Sequence, residues 1–425
     1  MHRQAAMNHA LRSLRHPNFR LFFFGQFISL LGTWLQIVAT VWLVYRLTGS
    51  ALLLGVTTGL QQLPMLLLSP LAGVWSDRVD RRRMLMITQS LAAFQALTLA
   101  MLTFSGTVRV EHIMLLAFLL GLINAFDTPT RQAFVLEMIG DKSDLPNAIA
   151  LSSLLFNGAR FVGPAIAGVA LAVLGEAWCF LLNGLSFVAT LYAYTHMRLL
   201  PRAWTARNAH WLHDLQEGVR YAFGLLGIRR LLLLLAVLSI GSSPWQPLMP
   251  IFATEIYGGD SRTLGWLIGA VGVGALLGAA HLMRRPGLRG LGSVIAVTCA
   301  LSGVGMAGFA WMNSLWLGLP LLALFGFGLI ATVASCNTVV QTVAEEDKRG
   351  RVIGLYVLAF FGMSPIGHFL SGALAEQIGV QWTFFLCGSG IAIAAACFAY
   401  SLPTWRESIR RARAAQDASG QPART

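Results

Sequence analysis

Gly73-Val74-Trp75-Ser76-Asp77-Arg78-Val79-Asp80-Arg81-Arg82-Arg83-Met84 is the densest charge cluster in the first half of the chain, and it lies between two long apolar runs. Apolar runs of about 20 residues are long enough to cross a bilayer as helices. A short basic turn between two such runs sets orientation, because Lys and Arg in short loops stay on the cytoplasmic side. The stretch predicts a helix–turn–helix pair crossing a membrane, with this turn inside the cell.

Composition extends that reading to the whole chain. Of 425 residues, 56% are hydrophobic and 12% charged, against about 25% charged in soluble domains. The mean hydropathy is +0.65. Apolar runs fall at 20–46, 51–76, 83–105, 112–135, 145–174, 176–198, 229–257, 263–283, 290–311, 314–341, 351–378 and 380–402. They predict an all-α integral membrane protein with twelve spans and both termini cytoplasmic. The net charge of +13 invites a nucleic-acid partner, but the placement of the charge argues against one. The basic residues crowd onto one side; Arg46, Arg109 and Arg262 fall on the other, and Arg160 lies inside a span. Basic segments at a membrane surface attract anionic headgroups instead.

The five cysteines, Cys179, Cys299, Cys336, Cys387 and Cys397, all sit in apolar runs without metal-ligand spacing. They read as small core residues, so no metal and no cofactor is expected. Residues Met1 to Arg20 are polar and basic and lack the apolar core of a signal peptide, which predicts that the first span directs insertion.

Five segments follow: a basic cytoplasmic N-terminus at 1–19, a six-helix bundle at 20–199, a linker at 200–228, a second six-helix bundle at 229–403 and a basic tail at 404–425. In the linker, Trp211, Leu212, Leu215, Val219, Ala222 and Phe223 have helical spacing and predict an amphipathic helix on the inner membrane surface over 210–223. The tail is expected to be disordered beyond a first helical turn. The bundles repeat. An offset of 210 carries Leu54, Gly55 and Gly59 onto Leu264, Gly265 and Gly269, Gln36 onto Gln246, and Asp127-Thr128 onto Asn337-Thr338. An offset of 204 carries Leu151, Gly163 and Gly168 onto Leu355, Gly367 and Gly372. Two pseudo-symmetric halves are the build of secondary transporters that rock about a central site.

The chain resembles the major facilitator superfamily at this point. Gly73, Asp77, Arg78, Arg81 and Arg82 match the signature of its second-to-third-span loop, with Asp80 where the family usually has glycine. Gly163, Pro164 and Gly168 in the fifth span are similar to the superfamily's antiporter motif, with Ala167 replacing one glycine. The stretch from Asn147 to Gly168, with Arg349-Gly350-Arg351, looks like the bacterial exporter branch that contains the enterobactin exporter and macrolide efflux pumps. The resemblance implies an inner-membrane secondary transporter, monomeric, that moves a small organic molecule, with a proton as second partner. It also implies a conformational gate: Asp77 against the start of the eleventh span, and Arg81 against an acid near the end of the fourth span, for which Asp127 is the match. The arginine that many proton-driven members carry early in the fourth span is missing from Leu115 to Phe126, so their proton relay does not transfer.

Polar residues inside spans are candidates for function, because a charge in hydrocarbon costs about 2.5 kcal/mol or more. Asp127 is the candidate proton carrier. Arg160 is the candidate anchor for an anionic aromatic cargo, or one half of a structural ion pair, with Asn157 one turn before it. Gln36 beside Trp34 and Gln246 beside Trp245 either line the cavity or bond neighbouring helices; Gln61, Gln62 and Asn124 carry the same two readings. His368 could exchange protons or simply be hydrogen-bonded. Glu137, Glu255 and Glu376, near span ends, need no special role, although Glu255 could gate an exit. Pro244, Pro247 and Pro250 predict a broken seventh span.

No phosphate-binding loop and no catalytic constellation is present, so the chain is not expected to be an enzyme. The sequence reading is an exporter working by alternating access, most simply as a proton antiporter. An uptake permease or uniporter of the same fold is the alternative, and a non-transporting receptor or scaffold a remote one.

Overall fold

The computed structural model describes residues 12–76, 79–139, 144–198, 219–284, 290–345 and 348–418, apart from the side chains of 69–76, 136, 146, 153, 157, 160, 161 and 412–418. Among the described residues there is no strand. The helices are α1 (Pro17–Thr48), α2 (Ala51–Ser76), α3 (Arg81–Phe104), α4 (Val110–Met138), α5 (Leu145–Leu174), α6 (Glu176–His196), α7 (Leu226–Ile256), α8 (Ser261–Met283), α9 (Leu291–Phe309), α10 (Leu315–Val343), α11 (Arg349–Ile378), α12 (Val380–Tyr400) and α13 (Leu402–Ala418). Eleven helices within the described residues are long and apolar enough to cross a membrane. The 30-residue α5, with apolar stretches Asn147–Phe156 and Val162–Leu174, takes the remaining place among α1–α12.

The repeat read from a few matched residues holds for whole helices. An offset of 204 carries Leu145–Leu174 onto Arg349–Ile378 and Glu176–His196 onto Val380–Tyr400, and an offset of 210 carries Ala51 onto Ser261 and Arg81 onto Leu291. Even the tight turns repeat. Gly175 (φ 81°) joins α5 to α6 and Gly379 (φ 85°) joins α11 to α12, a backbone conformation that glycine adopts without steric cost. Asp80, at the place of the family's glycine, is the N-cap of α3 and accepts the Arg83 N–H at 3.2 Å. A helix start replaces a glycine turn there.

The chain forms two compact units. Unit 1 comprises Met1–Gly49, Leu60–Asn208 and Gly259–Trp266; unit 2 comprises Ser50–Gly59, Ala209–Gly258 and Leu267–Thr425. In unit 1, α1 packs on α5 and α6, and α3 on α4 and α6. Its arginine-rich end holds a core of Phe19, Phe22, Leu85, Phe134 and Tyr194. In unit 2, α9 packs on α10 and α12, and α12 on α7. Phe252, Phe309 and Phe384 stack there with ring centroids 4.6 to 5.9 Å apart.

Two unit 2 helices are irregular. After Ser242, α7 continues as a 3-10 turn (Ser243–Trp245), a turn, a short α stretch (Met249–Ile251) and a π segment (Phe252–Ile256), with Pro244, Pro247 and Pro250 at the breaks. α11 carries a π segment, Leu358–Gly362, just before Pro365. Ser239 Oγ, one turn before the break in α7, donates to the Phe360 carbonyl of the α11 π segment, so the two breaks are tied together.

The tail departs from its expected disorder: α13 runs to Ala418. Leu402, Trp405 and Ile409, spaced i, i+3 and i+7, give it an apolar face. Trp405 is 4% exposed and its Nε1 donates to the Gly227 carbonyl at 3.0 Å. Ser408 Oγ accepts the Gly227 N–H at 3.1 Å, and Arg230 donates to the Ser401 carbonyl at 3.0 Å. Trp405→Phe keeps the packing and loses one hydrogen bond, and is expected to lower stability by about 1 kcal/mol in thermal unfolding of the purified protein. Of the predicted linker helix, residues 210–218 lie outside the described residues; 219–224 are helical.

Candidate functional site

The interior of unit 1 is polar where a membrane bundle would be apolar by default. Asp127, in α4, is 2% exposed. Its Oδ1 accepts from Thr88 Oγ1 and Gln89 Nε2, both of α3, each at 2.8 Å. Its Oδ2 lies 3.4 Å from Arg131 Nη2, one turn along α4. Arg131 Nη1 donates to Gln26 Oε1 of α1 at 3.0 Å, and its guanidinium covers the Phe156 ring of α5 at 5.0 Å. Gln26 Nε2 donates to Tyr194 Oη of α6 at 3.2 Å, and Thr190 Oγ1 of α6 donates to Gln89 Oε1 at 2.9 Å. One carboxylate thereby ties α4 to α3 directly and, through Arg131 and Gln89, to α1, α5 and α6. Burying a charge demands such partners.

A second polar layer lies ten residues along α1, about 15 Å away. Gln36 Nε2 donates to Gln95 Oε1 at 3.0 Å, and Asn183 Nδ2 donates to Gln36 Oε1 at 2.6 Å. A small cavity beside it is lined by Gln36, Thr40, Gln61 and Gln95 together with apolar residues of α3 and α4.

The gate residues are placed differently from the expectation. Arg81, 7% exposed, donates from Nη1 to Glu137 Oε1 at 2.7 Å and to the Ala133 carbonyl at 3.4 Å. Asp127 is therefore not the acid that this arginine bonds. Arg81 is the first residue of α3, level with the last turn of α4, whereas Asp127 lies ten residues deeper than Glu137, about 15 Å. Glu137, which needed no special role in the sequence, is the acid that holds Arg81. Arg82 Nη2 donates to the Thr195 carbonyl at 2.7 Å, at the end of α6. Asp77 and Arg78 lie outside the described residues, as do the side-chain surroundings of Gly73 and the side chains of Asn157 and Arg160.

The other candidates divide into two groups. Gln36 (4% exposed) and His368 (3%) are sealed inside their bundles, Gln36 by Gln95 and Asn183, and His368 with Nε2 3.1 Å from Ser364 Oγ. Trp34, Gln62, Asn124, Trp245 and Gln246 are half-buried. Trp34 rests on Gly163, where a Cβ would meet the indole side chain; Pro164 follows inside α5. Trp245 stands with its ring centroid 6.4 Å from that of Phe325. Gly168 faces Gly265 and the Ser261 carbonyl within unit 1, and a Cβ on Gly168 would lie 2.9 Å from Gly265 N. Among the described residues no group of His, Cys, Asp and Glu has metal-site geometry.

Sequence reading missed Arg131, Gln26, Thr88, Gln89, Gln95, Asn183, Thr190 and Tyr194. The signal was a polar stripe: Asn183, Ser186, Thr190 and Tyr194 recur at i, i+3, i+7 and i+11 on α6, and Thr88 and Gln95 at i and i+7 on α3. In a membrane helix such a stripe marks the face turned to other helices.

Against known proteins, residues 8–420 match the transmembrane secretion effector family of the major facilitator superfamily. The chain is 27% identical to the staphyloferrin A transporter of Staphylococcus aureus over 87% of this chain and 92% of that protein. It is 30% identical to the multidrug efflux pump Tap of Mycolicibacterium fortuitum over 83% and 88%, and 27% identical to the enterobactin exporter EntS of Shigella boydii over 89% and 90%. Its fold is similar to that of a solved bacterial homologue of the human lysosomal transporter Spinster, with a TM-score of 0.72 at 13% identity over 94% and 98%. The match spans nearly the whole chain, twelve-helix repeat included, and so the chain belongs to the transmembrane secretion effector family, as a multi-pass membrane transporter of small molecules and not an enzyme.

Proposed function

We propose that this transporter is a secondary active exporter of a siderophore-like or drug-like molecule, driven by inward proton movement through alternating access. In this reading it works as a monomer in a bacterial inner membrane, with the arginine-rich end and both termini in the cytoplasm. The observation that carries it is Asp127, a carboxylate 2% exposed and bonded directly to α3 inside a membrane bundle. A buried titratable group whose partners reach four other helices can convert a change of protonation into a change of helix packing. Relatives that export enterobactin and pump drugs support the direction. The anchor for an anionic cargo in this reading is Arg160 of α5.

Inside-out vesicles test the reading with two probes in parallel, enterobactin and the fluorescent cation ethidium. An imposed gradient, acid inside, is expected to accelerate uptake of enterobactin at least ten-fold. Asp127→Asn, which keeps an acceptor for Thr88 and Gln89, is expected to remove the acceleration while leaving exchange between labelled and unlabelled cargo. Acceleration that survives Asp127→Asn would show that the coupling lies elsewhere, and transport of ethidium alone would reverse the charge preference.

A further inference from the structure

We infer that Glu376 is a releasable latch, an N-cap that α11 lends to α2 and withdraws when the two helices part. Four backbone N–H groups at a helix start have no partner within the helix. At α8 the need is met locally: Asp260 Oδ1 accepts the Arg262 N–H at 2.9 Å and the Thr263 N–H at 3.3 Å. The equivalent position before α2, by the offset of 210, is Ser50. There Ser50 Oγ accepts the Leu53 N–H, at 3.3 Å, and the carboxylate that serves the Leu52 N–H comes from another helix. Glu376 Oε2, in the last turns of α11, accepts the Leu52 N–H at 3.0 Å and the Ser50 hydroxyl at 3.0 Å.

Just below the cap, the same two helices touch without side chains between them. A Cβ on Gly55 would lie 2.7 Å from Gly372 Cα, and a Cβ on Gly372 would lie 2.9 Å from Gly55 Cα and 3.0 Å from the Ala51 carbonyl. On Gly59 it would meet the Phe369 ring at 2.8 Å. The matching seam in unit 1, Gly168 against Gly265, has the same glycines, but the position equivalent to Glu376, by the offset of 204, is Ala172. One seam is therefore latched and its counterpart is plain. A glycine seam slides or parts with little side-chain rearrangement, so the cap is the specific interaction that parting must break. Glu376 itself is exposed, so water can replace its bonds when the cap is withdrawn.

The latch rests on the alternating-access reading, yet its test needs no cargo and no gradient. Spin labels on Leu52→Cys and Ile378→Cys, both exposed, in a Cys397→Ser background, report the separation of the α2 and α11 ends. Glu376→Ala is expected to raise the population at the longer distance about five-fold, the worth of one N-cap. Ser50→Asp, which puts a carboxylate on α2 itself as Asp260 does for α8 and repels Glu376, is expected to raise it as well. In the Ser50→Asp background, Glu376→Ala should then add nothing. Unchanged populations in both single variants would overturn the latch, as would a lower melting temperature for Glu376→Ala with populations unchanged, which would make the cap merely structural.

Discussion

Replacing Arg131 by alanine is expected to destabilise the protein by about 3–5 kcal/mol, the cost of leaving one member of a buried ion pair alone. Asp127 would keep Thr88 and Gln89 but lose the only cation recorded within bonding range of it among the described residues. Gln26 Oε1 and the Phe156 ring lose their partner too. The double variant Asp127→Asn/Arg131→Gln removes both charges and keeps polar shape, so it should be more stable than Arg131→Ala alone. Thermal unfolding of the parent, Asp127→Asn, Arg131→Gln and the double variant closes a double-mutant cycle, with a coupling of about 0.5–3 kcal/mol expected for side chains in contact. A loss within about 0.5 kcal/mol for Arg131→Ala, the range of ordinary surface changes, would mean that the pair does not hold unit 1 together.

The same residues mark the limit of what the sequence could say. The helices, their order and their repeat were legible because hydropathy and helix length report directly on the membrane. Asp80 is legible in the sequence as a departure from the family's glycine, whereas the turns at Gly175 and Gly379 show only in the backbone. The partner of Arg81 was not. Asp127 and Glu137 both lie late in the fourth span, and choosing between them needs the level at which α3 begins relative to α4, which is a property of packing. Gln36 and His368 were recognised as polar groups in spans, but whether such a group faces a cavity or a neighbouring helix depends on rotation of the helix about its axis. Asn183 and Thr190 carry no motif and no counterpart in the repeat, and only their spacing with Ser186 and Tyr194 marks them as one helix-facing stripe. The tail was read as disordered from its position and its Arg, Ala and Gln content, although Ala, Arg and Gln favour helix and Leu402, Trp405 and Ile409 already supplied a face to dock.

Gly305→Leu is the second change expected to be severe, and the reason lies in how the two units diverged from one repeat. Where α1, α3 and α6 of unit 1 are joined by amides, α8, α9 and α10 of unit 2 meet at glycines. The offset of 210 carries Gln95 onto Gly305, and that of 204 carries Asn183 onto Cys387 and Ser186 onto Gly390. Gln95 bridges to Gln36. At Gly305 a Cβ would lie 2.7 Å from both the Leu321 carbonyl oxygen and the Phe325 nitrogen of α10, so the helix backbones themselves are the contact. On Gly278 of α8 it would lie 2.6 Å from the Phe327 carbonyl. Even Gly305→Ala must push α9 and α10 apart and is expected to cost about 1–3 kcal/mol, the usual range for overpacking; Gly305→Leu should prevent unit 2 from packing and leave little folded protein after size-exclusion chromatography. Gly390→Ala is the control, since a Cβ there meets nothing within 4 Å. Alanine is the better helix former by about 1 kcal/mol, so this variant should be as stable as the parent or more so. A Gly305→Ala protein that melts with the Gly390→Ala protein would refute the close approach of α9 to α10.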